Sequence, residues 1–230
     1  MHKVSELYRS IYAGTHWKEV MLLIEGTEYF ASSIISLSTF NSLYAENRPV
    51  IGSCVAAEIN LSYIPGDNIP PCMAKIEPFV RITNGSSVSE WIPKGVFYSD
   101  TRIVDEETGV YTIHGFDSML KAEQAFFTEG DTGEWPRTAP IIAAQIAEKM
   151  GVSVDSRTVL QESILVPFPN DFTCREILGQ IAVAHGGNWI ISDAGELRLV
   201  GLNSIPQETN LLVDGVGDVI KFGEVAIVVG

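Results

Sequence analysis

Cys174 and His185 stand in one run, NDFTCREILGQIAVAHGGNWIISDAGELRLV from Asn170 to Val200, and a thiol beside an imidazole is the pairing that makes a protein nucleophile. The spacing argues against that chemistry. A separation of 11 residues on a helix returns the two side chains to within ~20° of one face but sets them roughly 16 Å apart along the axis, too far to share a proton. His185 reads instead as a last-turn residue whose ring meets free carbonyls.

Other chemical patterns fail for equally specific reasons. Asp131-Thr132-Gly133 is the aspartic-protease triplet, but that reaction needs two carboxylates sharing a proton in an apolar cleft, and the single copy here sits in the polar stretch TEGDTGEWP. Asp214 to Val219, DGVGDV, lacks the third glycine and the following helix of a dinucleotide fingerprint, and reads as a turn. Asp105, Glu106 and Glu107 could gather calcium, yet the alternate-position spacing of an EF-hand loop is missing, so they read as a solvated hairpin tip. His2, His16, His114 and His185 are scattered without HExxH or HxH, and Cys54, Cys72 and Cys174 are an odd number without CxxC. The three thiols are expected to be buried. No catalytic, cofactor-binding or metal-ligating residue is therefore assigned. Arg81, Trp91, Tyr98 and Arg102 could line a carbohydrate groove, although aromatics at strand spacing usually serve a core.

Composition narrows the classes further. With 230 residues and 46% hydrophobic content the chain can build one or two cored domains. Subtracting 29 acidic from 15 basic residues gives −14, which opposes tight nucleic-acid binding. The opening MHKVSELYRSIYAGTHWKEV lacks the apolar core of a signal peptide, and no run approaches the roughly 20 apolar residues of a membrane span, so folding in the cytosol without membrane insertion is expected.

The elements that must position these residues change character along the chain. Val4, Leu7, Tyr8 and Ile11 predict a short opening helix ending at a left-handed Gly14. From Trp17 onward, short runs bounded by Gly, Asn and Pro predict strands, with a hairpin turn at Asn84-Gly85 and another with left-handed Gly109. The first half reads as an antiparallel meander forming a β-barrel or sandwich. A helical stretch follows from Asp117, then a firmer helix from Thr138 to a Gly151 cap, with Ile142 and Ile146 on one face.

The clearest local signal is Thr173 with Glu176, an S/T-x-x-E capping box in which each side chain satisfies a backbone N–H of the helix start. Phe172 and Ile177 add a hydrophobic staple, Leu178, Ile181, Ala182 and His185 are expected on the buried side, and the helix stops at Gly186-Gly187. A hairpin then turns at Asp193-Ala194-Gly195, Gly195 taking the left-handed position. Thr173, Glu176, Phe172, Gly186 and Gly195 are thus structural positions. The fold class is α+β: a mainly antiparallel β-barrel or sandwich domain (residues 1–130), an insertion of two helices and a β-hairpin (131–202), and the start of a minimal second barrel (203–230).

The order of motifs resembles the tail or baseplate hub proteins of tailed phages and prophages, the family that includes the amino-terminal region of tail-associated lysins. The stretches that carry the likeness are EVMLLIEGTEYFASSIISLSTF, RPVIGSCVAAEINL with Gly52 at the turn into a long strand, WIPKGVFYSDTRIVDEETGVYTIHGFDSML and VPFPNDFTCREILGQIAVAHGGNWIISDAGELRLVGL. Within the third, Pro93, Gly95, Phe97, Tyr98, Gly115, Asp117 and Met119 are similar to the family's Pro-x-Gly-x-Phe-Tyr strand and Gly-x-Asp-x-Met helix entry.

The resemblance implies a non-enzymatic scaffold in the virion tail tip, assembled in the host cytoplasm. It implies a homotrimeric ring joining the tail tube or distal tail protein to a spike or fibre protein, with a lumen that passes tape-measure protein and DNA. A negative wall would let DNA slide without adhering. In the family the strand-like DVIKFGEVAIVVG leads into further barrel strands and often a lytic domain, so this chain is expected to be either truncated or a short hub. Two other readings remain: a carbohydrate- or host-surface-binding module, and a cysteine or aspartic peptidase fragment.

Overall fold

Period-two alternation makes the first half a sheet. Along β4 (Glu58–Tyr63), Ile59, Leu61 and Tyr63 are buried while the residues between them are not, because successive side chains of a strand point to opposite faces. The computed structural model describes residues 4–45, 49–127 and 134–202, and the backbone of 221–222 and 225–226. After the helix α1 (Glu6–Tyr12) come β1 (Trp17–Ile24), β2 (Thr27–Phe30), β3 (Ile34–Phe40), β4, β5 (Lys75–Thr83), β6 (Ile92–Pro93), β7 (Phe97–Asp105) and β8 (Val110–Asp117). The 3-10 helix Ser118–Glu123 then leads to β9 (Arg137–Thr138), α2 (Ala139–Met150), β10 (Leu165–Val166), α3 (Cys174–Ala184), β11 (Gly187–Ile191) and β12 (Leu197–Gly201). Lys221–Phe222 and Val225–Ala226 form a two-residue antiparallel pair.

The eight-stranded sheet is antiparallel in the order β2-β1-β5-β7-β8-β4-β3, with β6 on β5. This is not the expected meander. The neighbours β1-β2, β3-β4, β5-β6 and β7-β8 do pair, but β5 joins β1 and β4 joins β8 across long connections. Alternation fixes which face a side chain occupies and leaves the partner strand open, so sequence order alone could not give this topology.

The sheet curls strongly. Tyr29 on β2 and Tyr63 on β4 are five strand steps apart, about 24 Å in a flat sheet, yet their rings meet edge-to-face at 5.1 Å. Leu22, Ile24, Ile59, Leu61, Ile76, Phe97 and Ile113 fill the interior so formed. The edges β2 and β3 are not hydrogen-bonded to each other, so the barrel stays open.

A second core lies in the helical layer. Ile142 and Ile146 of α2, Ile177, Leu178 and Ile181 of α3, and Trp189 and Leu197 of the hairpin pack together with Met119, Ala122, Phe126 and Cys54 from earlier in the chain. Each fully buried Leu or Ile contributes about 1.5–3 kcal/mol.

Several local expectations need correction. α1 stops at Tyr12 with a right-handed Ala13 cap, and only Ile11 of its expected face is buried, so Gly14 is not the cap. Gly52 does turn, at φ +86°, but the strand begins later, at Glu58. At the Asn84-Gly85 step only Gly85 is left-handed, while Asn84 Oδ1 accepts from the Ser86 and Ser87 N–H groups. Of the three cysteines, Cys72 is exposed.

Candidate functional site

The residues singled out from the sequence are committed to internal structure. Thr173 Oγ1 accepts from Glu176 N–H at 3.2 Å and Glu176 Oε2 accepts from Thr173 N–H at 2.7 Å, closing the capping box of α3. Phe172 is partly exposed while Ile177 is fully buried. Gly186 and Gly195 take φ of +64° and +82°. The His185 ring has defined roles, since Gln161 N–H can only donate to its Nε2 (2.9 Å) and the Ile181 carbonyl can only accept from its Nδ1 (2.8 Å). That leaves a neutral ring protonated on Nδ1.

Nothing here resembles an activated thiol. Burial pushes Cys54 up to about 12 against the pull of Arg175, and burial likewise raises Cys174, the reverse of what a nucleophile requires. Cys174 is sealed in the helical core at the opposite end of α3 from His185. His114 pairs with Glu58 at 3.4 Å and His16 with the Gly14 carbonyl at 2.9 Å. Among the described residues no cluster of His, Cys, Asp or Glu could hold a metal ion. The Asp131–Gly133 and Asp214–Val219 stretches and His2 lie outside the described residues.

The carbohydrate candidates are divided between different partners. Arg81 lies over the Trp91 ring at 4.3 Å and pairs with Glu19 at 2.6 Å; Tyr98 lies under Lys121 at 3.9 Å, and Arg102 packs on Tyr111 while donating to the Pro70 carbonyl. At the hairpin tip the Thr108 side chain, and then the Glu107 and Thr108 N–H groups that Asp105 Oδ1 accepts from, hold the Asp105 carboxyl below the usual range.

What the structure adds is the joint between sheet and helical layer. Asn188, fully buried on β11, accepts from Ser53 N–H at 2.8 Å and donates to the carbonyls of Leu43 (2.9 Å) and Val50 (2.8 Å). Asp117 at the end of β8 accepts from Ala57 N–H (2.9 Å) and from Met119 N–H (2.8 Å), capping the 3-10 helix. Burial pushes its carboxyl up to about 6, against those two donors and Arg175. Arg175 of α3 bonds the carbonyls of Cys54 and Met119 and pairs with Glu123 at 2.6 Å. The sequence signal for Asn188 was a polar residue inside the otherwise buried run GNWII.

Asp117 and Asp193 both line a cavity of about 120 Å³ beside Lys94. Asp117 commits both oxygens to backbone donors, so this is a satisfied joint and not a proton-sharing pair. A surface depression of about 770 Å³ runs between the Val50–Cys54 segment and the outer face of α3, edged by half-exposed Ile51, Phe172 and Val183. No helix among the described residues is long and apolar enough to cross a membrane.

No protein-family model matches the chain, and no curated protein matches it in sequence. Solved structures do share its fold. The 43 kDa tail protein of prophage MuSo2 from Shewanella oneidensis superposes with a TM-score of 0.55 at 18% identity, covering 86% of this chain and 59% of that one. The tail protein from Neisseria meningitidis MC58 gives 0.53 at 12% identity, covering 83% of this chain and 53% of the other. The chain therefore spans between half and three-fifths of the length of these two structures.

Proposed function

We propose that this chain is a structural component of a phage-type tail. Its place is the tail tip or baseplate hub, where copies form a homotrimeric ring between the tail tube or distal tail protein and a spike or fibre protein. The observation that carries this reading is the fold shared with a prophage tail protein and a second tail protein over 86% and 83% of the chain. Residues 1–130 are then the barrel-like hub unit, 131–202 its insertion, and 203–230 the beginning of a second barrel.

The free edges of the sheet support assembly. Among the described residues β3 pairs only with β4, and β7 beyond Ser99, whose N–H donates to the Ala74 carbonyl, pairs only with β8, so each carries unpaired backbone groups along one side. Exposed Ile35 and Phe40 accompany the first edge, Ile103 and Val104 the second. A soluble protein usually blunts or covers such edges, and neighbouring copies in a ring would cover these.

Deleting the gene from its prophage and imaging induced particles tests the reading. Tails without a tip, non-infectious and restored by supplying the gene in trans, are expected. Normal, infectious tails in its absence overturn it.

A further inference from the structure

A cleft of about 270 Å³ on the helical layer is lined by Arg157, Val159, Gln161, His185 and Arg198, and the same two arginines line a second depression of about 170 Å³ with Asn41 and Asp193. On a chain of net charge −14 a convergence of two guanidinium groups calls for a cause. Arg157 is explained: it grips the carboxylate of Asp155, whose side chain is only 1% exposed, through Nε at 2.8 Å and through Nη2. Arg198 is not. Its Nε is buried without a hydrogen-bond partner among the described residues, and a guanidinium has only donors to offer. His185 is neutral in this wall.

The charges around the cleft define what it takes. Asp193 and Glu196 act on Arg157 from the β11–β12 loop, so a polyanion would meet repulsion at the rim, whereas a single carboxylate can offer hydrogen-bond acceptors to the Arg198 guanidinium. Val159, 79% exposed at the same cleft, adds an apolar contact.

The complementary surface lies at the other end of the same chain. The β7–β8 hairpin ends in Asp105, Glu106 and Glu107, all exposed, with Ile103 70% exposed beside them. Asp105 is occupied by its own turn, which leaves the carboxylates of Glu106 and Glu107 for a partner. A chain cannot fill its own cleft with this tip. Asp117 shares one cavity with Asp193, and Asp193 shares the next with Arg157 and Arg198, so the cleft sits at the foot of β8. The tip stands about 25 Å away along Val110–Asp117, at ~3.3 Å per residue.

We propose that Glu106 or Glu107 of one copy seats against Arg198 in the cleft of a second copy, head to tail. Such a heterologous contact closes a ring when the rotation between copies allows it. The inference rests on the ring reading above and names the contact that would build it.

Charge exchange tests it, with molecular mass measured by sedimentation at about 0.15 M salt. Glu106→Lys with Glu107→Lys, on an exposed loop, and separately Arg198→Glu, should each weaken self-association on the order of 100-fold. Arg198→Gln replaces the latter should the introduced carboxylate perturb the circular dichroism. Mixing the tip variant with Arg198→Gln should give a dimer that grows no further, since each supplies one intact surface and the two left over do not attract, whereas the triple charge-exchanged variant should associate again. Oligomers unchanged by the tip variant overturn the pairing and leave the ring standing. A wild-type chain that is monomeric at every concentration, alone and with its tube partner, overturns both.

Discussion

Asp117 sets burial against hydrogen bonding on a single carboxyl. Burial pushes it up to about 6 from an ordinary 3.8, while Ala57 N–H, Met119 N–H and Arg175 pull the other way. A carboxyl raised in the folded state gives stability that is complete below the unfolded value, near 4, and is lost as pH rises through about 6. The move from 3.8 to about 6 corresponds to roughly 3 kcal/mol. Asp117→Asn keeps one acceptor and loses the other, so it should lower stability by about 1–3 kcal/mol near pH 4, where the wild-type carboxyl is neutral, while removing this titration. Urea unfolding of both proteins from about pH 4 to 7 reads the difference. The wild-type advantage should shrink as pH rises, even though Asp155, held low by Arg157, contributes its own loss at more acid pH in both proteins. An advantage that grows with pH would mean that the backbone donors outweigh burial.

At the scale of elements, the helical layer is held by the close approach of the Val50–Cys54 segment to α3. Gly52 N–H donates to the Gly187 carbonyl at 2.9 Å, and a methyl at Gly52 would stand 2.6 Å from Val183 Cγ2 and 3.3 Å from the Gly179 carbonyl. Gly52→Ala should therefore cost about 2–4 kcal/mol, part from the positive φ and part from overlap. Val183 is 52% exposed, so Val183→Ala alone should cost little, and adding it to Gly52→Ala should recover the overlap part in a thermal or urea melt. The sequence made Gly52 legible as a turn but not as a contact, because its opponent stands 131 positions later in the chain. Caps are different: the Thr173–Glu176 box and the Gly151 cap are set by neighbours within one helical turn, so α2 and α3 could be read almost to the residue. The order of strands could not, since alternation marks inward residues such as Ile59 and Leu61 without saying which strand lies beside them. The joint was hidden for the same reason. Asn188 and Arg175 find their partners more than 100 positions away, at Ser53 and Cys54.

For the whole molecule, electrostatics acts at two ranges. Each copy carries −14, so two copies repel through their total charge, while the hairpin tip and the Arg198 cleft attract through a few side chains in contact. Salt separates the two. At about 0.01 M the Debye length is about 30 Å and the full charges face each other; at about 0.1 M it is about 10 Å and only the facing surfaces count; at about 1 M it is about 3 Å and the contact pairs weaken too. Self-association should accordingly be weak at the lowest salt, strongest near physiological ionic strength, and weaker again at about 1 M. Sedimentation equilibrium at these three salt concentrations measures the profile. Association that strengthens steadily up to about 1 M would assign the interface to the apolar edges around Ile35, Phe40 and Ile103 rather than to the tip and cleft, because screening removes the net repulsion without weakening apolar contacts.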